Sequence, residues 1–87
     1  MSVDYKKYYK NYMYLNYDME LDLNRYTDRI RRLMGELERI YFDTDDFISY
    51  DTVSSELLSA AKIALMNRRI TDRDFHLLEE KYELIGG

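Results

Sequence analysis

The chain has no proline, and its only glycines are Gly35, Gly86 and Gly87. Sheets and hairpins draw their turns largely from these two residue types, so their near absence directs the reading toward helices joined by polar connections. Hydrophobic residues make up 46% and charged residues 34%, with both signs interspersed, a balance that favours a packed core over a disordered chain. Eighty-seven residues suit one domain, so residues 1–87 are expected to form a single all-α unit, a small bundle of three or four helices.

Apolar spacing predicts where those helices lie. Tyr5, Tyr8, Tyr12, Leu15 and Met19 recur at intervals of three and four, the stripe of one helical face. Leu23, Tyr26, Ile30, Leu33, Leu37 and Ile40 then continue as a longer, heptad-like seam that predicts a long second helix. Between the stripes the phase slips by one residue. A single helix from Asp4 to Phe42 would be roughly 58 Å long at 1.5 Å per residue, too long for a compact monomer with a radius of gyration near 12 Å. A break near Asn16 to Asp18 is the favoured alternative, because lysines precede it and acids follow it, as two helix dipoles prefer.

The segment Asp43 to Asp51 predicts a loop anchored by Phe47, Ile48 and Tyr50, with Asp51 or Thr52 capping the next helix, which runs to about Arg68. A last helix is expected from Asp72 to Ile85. Thr71 is its N-cap, Asp74 its N3 partner, Ile70 and Phe75 a hydrophobic staple, and Gly86 the stop. The last two helices are expected to pair as a C-terminal helical hairpin.

Catalytic chemistry finds few candidates. There is no cysteine, His76 is the only histidine, and no glycine-rich phosphate loop exists. The acids Asp43, Asp45, Asp46 and Asp51 invite a calcium reading. Counted from Asp43, however, Ile48 and Ser54 stand where an EF-hand loop needs its turn glycine and bidentate glutamate. The expectation is therefore no enzyme, no cofactor and no metal. With no apolar run near 20 residues and no signal-like start, a cytoplasmic protein without a membrane span is expected.

Ten tyrosines are the compositional outlier, six of them within the first seventeen residues. Tyr9, Tyr14 and Tyr17 fall off the inward stripe, and exposed tyrosine suits an interface, where the ring buries area and the hydroxyl keeps a hydrogen bond. With Tyr5 they are candidate partner contacts. Arg25, Arg29 and Arg32 add a basic side to the second helix, although interleaved acids, such as Asp28 four residues before Arg32, favour internal pairing. The four clustered aspartates are candidate phosphate mimics toward a basic groove.

The leading expectation is a regulator or inhibitor that binds another protein. Its profile is similar to that of small inhibitors encoded by phages and mobile elements and directed at nucleic-acid enzymes. Two alternatives are a nucleic-acid-binding regulator that uses the arginine stripe and a structural subunit of a homo-oligomer.

Overall fold

The computed structural model describes residues 5–84. The chain is mostly helical. A single helical turn, α1 (Tyr5–Tyr8), leads into a two-stranded antiparallel hairpin, β1 (Tyr9–Lys10) and β2 (Met13–Tyr14). After an irregular stretch and a 3-10 turn (Leu23–Arg25) come three helices, α2 (Asp28–Asp43), α3 (Phe47–Met66) and α4 (Asp72–Tyr82). The longest principal extent is 34 Å, which leaves no room for a 58 Å helix, and the radius of gyration is 12.5 Å.

The N-terminal quarter departs most from the helical expectation. The helix expected along Tyr5 to Met19 stops at Tyr8. The chain reverses at Asn11 and Tyr12, whose φ angles of 50° and 67° are the left-handed pair that a two-residue hairpin turn requires. Asparagine tolerates that conformation well and tyrosine does not, so the turn needs support from elsewhere. Support comes from buried hydroxyls: Tyr41 in α2 donates to the Tyr8 carbonyl at 2.8 Å, and Tyr50 in α3 donates to the Tyr14 carbonyl. Strands this short are marginal in water, and burial of Met13, Tyr14 and Leu15 against the core anchors them.

Neither version of the helical reading between Asn16 and Thr27 survives. The Asn16 amide donates to the Lys81 carbonyl at 2.8 Å, and the buried Lys81 ammonium donates back to the carbonyls of Asn16 and Met19. Backbone groups that a helix would use internally are thus spent on the end of α4. Burial lowers the Lys81 pKa, with Glu38 and Glu20 opposing the shift.

Helix α2 begins where Thr27 accepts the Ile30 amide and buries Ile30, Met34, Leu37, Ile40 and Tyr41 on one side. Leu23, assigned to the same seam, lies outside the helix and is half exposed. Thr44 ends α2 in an extended conformation, its amide and hydroxyl both bonded to the Ile40 carbonyl. Asp46 then caps α3 by accepting the Ser49 amide, so α3 starts at Phe47, five residues before the expected Thr52. The three-residue connection from Thr44 to Asp46 replaces the longer loop because Asp46 caps one turn earlier than Asp51.

Helix α3 buries Tyr50, Leu57, Ala60, Ala61 and Ala64, and it packs against both α2 and α4. It closes with the Arg68 amide bonded to Leu65 and the Arg69 amide bonded to Ala64, a Schellman ending in which Arg68 holds the left-handed position at φ 58°. The predicted capping box opens α4: Thr71 Oγ1 accepts the Asp74 amide at 3.1 Å and Asp74 Oδ2 accepts the Thr71 amide at 3.0 Å. The helix stops at Tyr82, with Glu83 left-handed, short of the expected Ile85. Ile85 and Gly86 lie outside the described residues. No helix among the described residues is long and apolar enough to cross a membrane.

Candidate functional site

The hairpin turn lifts one aromatic ring clear of the body. Tyr12 is 87% exposed, its left-handed backbone carrying the side chain away from the core that holds neighbouring Met13. Next to it stand the first residues of α3: Phe47, whose ring centroid is 5.9 Å from that of Tyr12, and Ile48, which is 73% exposed. The Asn11 amide group donates to the Asp45 carboxylate, tying the turn to the connection that precedes α3. Residues far apart in sequence therefore form one apolar face, bordered by Asp45 and Asp46 and by no basic side chain among the described residues.

The Tyr12 and Phe47 rings also border a half-open groove of about 290 Å³, shared with Tyr9, Tyr14, Asp51 and Glu83. The Tyr9 hydroxyl donates to the Glu83 carboxylate, and its ring meets that of Tyr14 edge-on at 5.0 Å. Beneath them, burial raises the pKa values of Tyr50 and Tyr82 well above the usual phenol value. The Tyr50 hydroxyl is committed to a backbone carbonyl. At the rim, the Ser49 side chain and amide donate to Asp46 and hold its carboxyl below the usual range.

A large exposed apolar face rimmed by polar groups is the signature of a macromolecular contact. Tyr12 and Ile48 are the most exposed large apolar side chains of the hairpin and α3 N-terminus, and neither helps to close the core.

The residues expected to make such a contact are distributed differently. Tyr14 is buried, with 5% exposure, together with its neighbours Met13 and Leu15, whereas Tyr12 is carried outward by the left-handed turn that precedes them. Tyr9 is 45% exposed and belongs to the groove. Tyr17 is partly exposed but sits in a separate cluster, its ring 5.1 Å from Tyr8 and 6.0 Å from Phe42, with the Lys7 ammonium above it. The Tyr5 side chain lies outside the described part of the structure.

Arg25 is structural: its Nε donates to Asp74 Oδ1 at 2.7 Å, and the Tyr26 hydroxyl donates to the Asp74 carbonyl at 3.0 Å. Arg29 and Arg32 are exposed on α2 and make no ion pair with another described residue. Asp28 pairs with Arg31, three residues on, in place of Arg32.

The four aspartates do not converge. Asp43 is exposed at the end of α2, Asp45 holds Asn11, Asp46 caps α3, and Asp51 borders the groove from the second turn of α3. Among the described residues no group of three or more acids and histidines is arranged to hold a metal ion. His76 is exposed beside Glu79.

Tyr12, Phe47 and Ile48 make this face although the reading of the sequence turns all three inward. Tyr12 counted as an inward residue of a helical stripe, and Phe47 with Ile48 as buried loop anchors. Asn11, a residue suited to left-handed turns, was the one local sign of the reversal. Comparison with models of known protein families, with curated proteins and with solved structures found no match to this chain.

Proposed function

We propose that this chain works by binding another protein through the face made by Tyr12, Phe47 and Ile48, as a regulator or inhibitor that occupies its partner's surface. The observation that carries the reading is the near-complete exposure of the Tyr12 ring at a turn conformation unfavourable for tyrosine. Within the chain the Tyr12 ring meets Phe47 alone among the described aromatic rings, whereas a protein interface gains a rigid aromatic anchor. The acids around the face favour a basic partner surface and oppose contact with a phosphate backbone. The arginine-stripe alternative is weakened by the engagement of Arg25 with Asp74.

Affinity capture from a cell lysate tests this when the intact chain is compared with a Tyr12→Ser, Phe47→Ser, Ile48→Ser variant and with an Arg29→Ala, Arg32→Ala variant. Circular dichroism checks that each retains its helices. Loss of the captured protein in the first variant and retention in the second is expected. The reverse pattern, or capture unaffected by the first variant, would overturn the assignment.

A further inference from the structure

We propose that the groove beside this face receives an arginine side chain of the partner, its guanidinium stacked on the tyrosine rings and directed at the Asp51 and Glu83 carboxylates. The inference rests on the protein-binding reading and names what the partner contributes.

The lining decides the chemistry. Six aromatic rings, two carboxylates and no basic side chain of the described residues border the groove. Aromatic faces carry negative potential and attract cations, and carboxylates add to that attraction. The hydroxyls of the deeper rings face internal acceptors: Tyr50 donates to the Tyr14 carbonyl and Tyr82 reaches Glu38 at 3.4 Å. What the lining chiefly offers a ligand is ring surface and carboxylate oxygen, beside the side chains of Ser54 and Ser55. Glu83 is held in place by the Tyr9 hydroxyl and by its own left-handed backbone. Asp51 projects from α3 with its carboxylate bonded to no other described residue.

No described cation of the chain lines the groove, and four are held elsewhere. Lys7 pairs with Asp18, Lys10 donates to the Tyr41 carbonyl, Arg25 is held by Asp74, and Lys81 is buried on the 16–19 segment. The volume, about 290 Å³, lies at the lower edge of the range for small-molecule pockets, so the groove suits one side chain better than a whole cofactor. Among cationic side chains, arginine fits best. Its flat, weakly hydrated guanidinium stacks on rings and bridges two carboxylate oxygens, while a lysine ammonium is a compact, strongly hydrated point charge.

The test is an NMR titration of the full-length, ¹⁵N-labelled chain with N-acetyl-arginine amide. N-acetyl-citrulline amide, a neutral near-isostere, and Nα-acetyl-lysine amide serve as comparison ligands. Saturable shifts at Tyr12, Phe47, Asp51 and Glu83 are expected with arginine, weaker ones with lysine and none with citrulline. Asp51→Asn should weaken arginine binding by about fivefold, the upper end for a solvent-facing ion pair, and Asp43→Asn, away from the groove, should leave it unchanged. Absence of saturable shifts, equal response to citrulline, tighter binding of lysine, or indifference to Asp51→Asn would each overturn the proposal. Arginine binding by a chain whose protein capture ignores the Tyr12 face would remove the protein-binding reading and keep the cation site. Capture that depends on that face, with no arginine response, would do the opposite.

Discussion

Asp74 joins three parts of the molecule, and removing its carboxylate gives the sharpest test of how the fold is held together. One oxygen accepts the Thr71 amide at the start of α4, the other accepts Arg25 Nε from the 3-10 turn, and the side chain is only 4% exposed. Asp74→Ala deletes half of a capping box, about 1 kcal/mol. It also deletes a charge-assisted pair with a guanidinium that is half exposed, which discounts that contribution to about 0.5–1 kcal/mol. The expected loss is about 2 kcal/mol, or roughly 10 °C in Tm for a chain of this size. Asp74→Asn keeps an acceptor oxygen and should lose about 1 kcal/mol.

The pH dependence follows from the direction of the Asp74 shift. Burial pushes its pKa up, but hydrogen bonds from Arg25 and Thr71 outweigh burial and hold the carboxyl below the usual range. A depressed folded pKa means the stabilisation is complete above the unfolded value of about 3.9 and is lost as pH falls through the folded value. The stability gap between parent and Asp74→Asn, measured by urea unfolding, should therefore be constant from pH 7 to 5 and shrink below pH 4. An Asp74→Ala loss under about 0.5 kcal/mol, or a gap that persists undiminished at pH 2.5, would refute the reasoning.

Three further predictions concern stability. At Gly35, an added Cβ meets nothing within 4 Å, so Gly35→Ala should stabilise α2 by about 0.5–1 kcal/mol. Arg68 holds a left-handed position, so Arg68→Gly should also stabilise, by up to about 1 kcal/mol, with both changes read as shifts in the urea midpoint. At alkaline pH, burial pushes Tyr26 up to about 12 and raises Tyr50 and Tyr82 further. These hydroxyls stay protonated in the folded chain while the unfolded chain ionises, so stability present below about pH 10 should fall as pH rises through 10 to 12. Tyrosinate absorbance recorded beside circular dichroism should show ionisation of these three only as the helices melt.

What the sequence made legible was local. The start of α4 could be read because Thr71 and Asp74 satisfy each other within four residues, and part of the buried side of α2 because Ile30, Leu37 and Ile40 keep a helical period, although Met34 is buried there and Leu33, which the seam included, only partly so. The hairpin could not be read this way. Tyr5, Tyr8 and Tyr12 fit a helical stripe, and what selects the reversal is the pair of hydroxyls from Tyr41 and Tyr50, more than thirty residues away. The same error hid the candidate site. Excess tyrosine pointed to the N-terminal segment, but which rings face outward depends on where the chain turns: the left-handed pair at Asn11 and Tyr12 puts Tyr12 out, and the strand that follows buries Tyr14. Asp46 was counted with the acidic loop because its role as a cap becomes visible only once α3 is seen to begin at Phe47.

The central claim, that the outward rings of the hairpin and α3 are where a partner docks, is tested most directly by hydrogen-exchange mass spectrometry of the captured complex. Amides from Tyr9 to Met13 and from Phe47 to Asp51 should slow on binding, with Arg29 to Glu36 unchanged. Protection confined to the exposed side of α2, with residues 9–13 exchanging as fast as in the free chain, would contradict it.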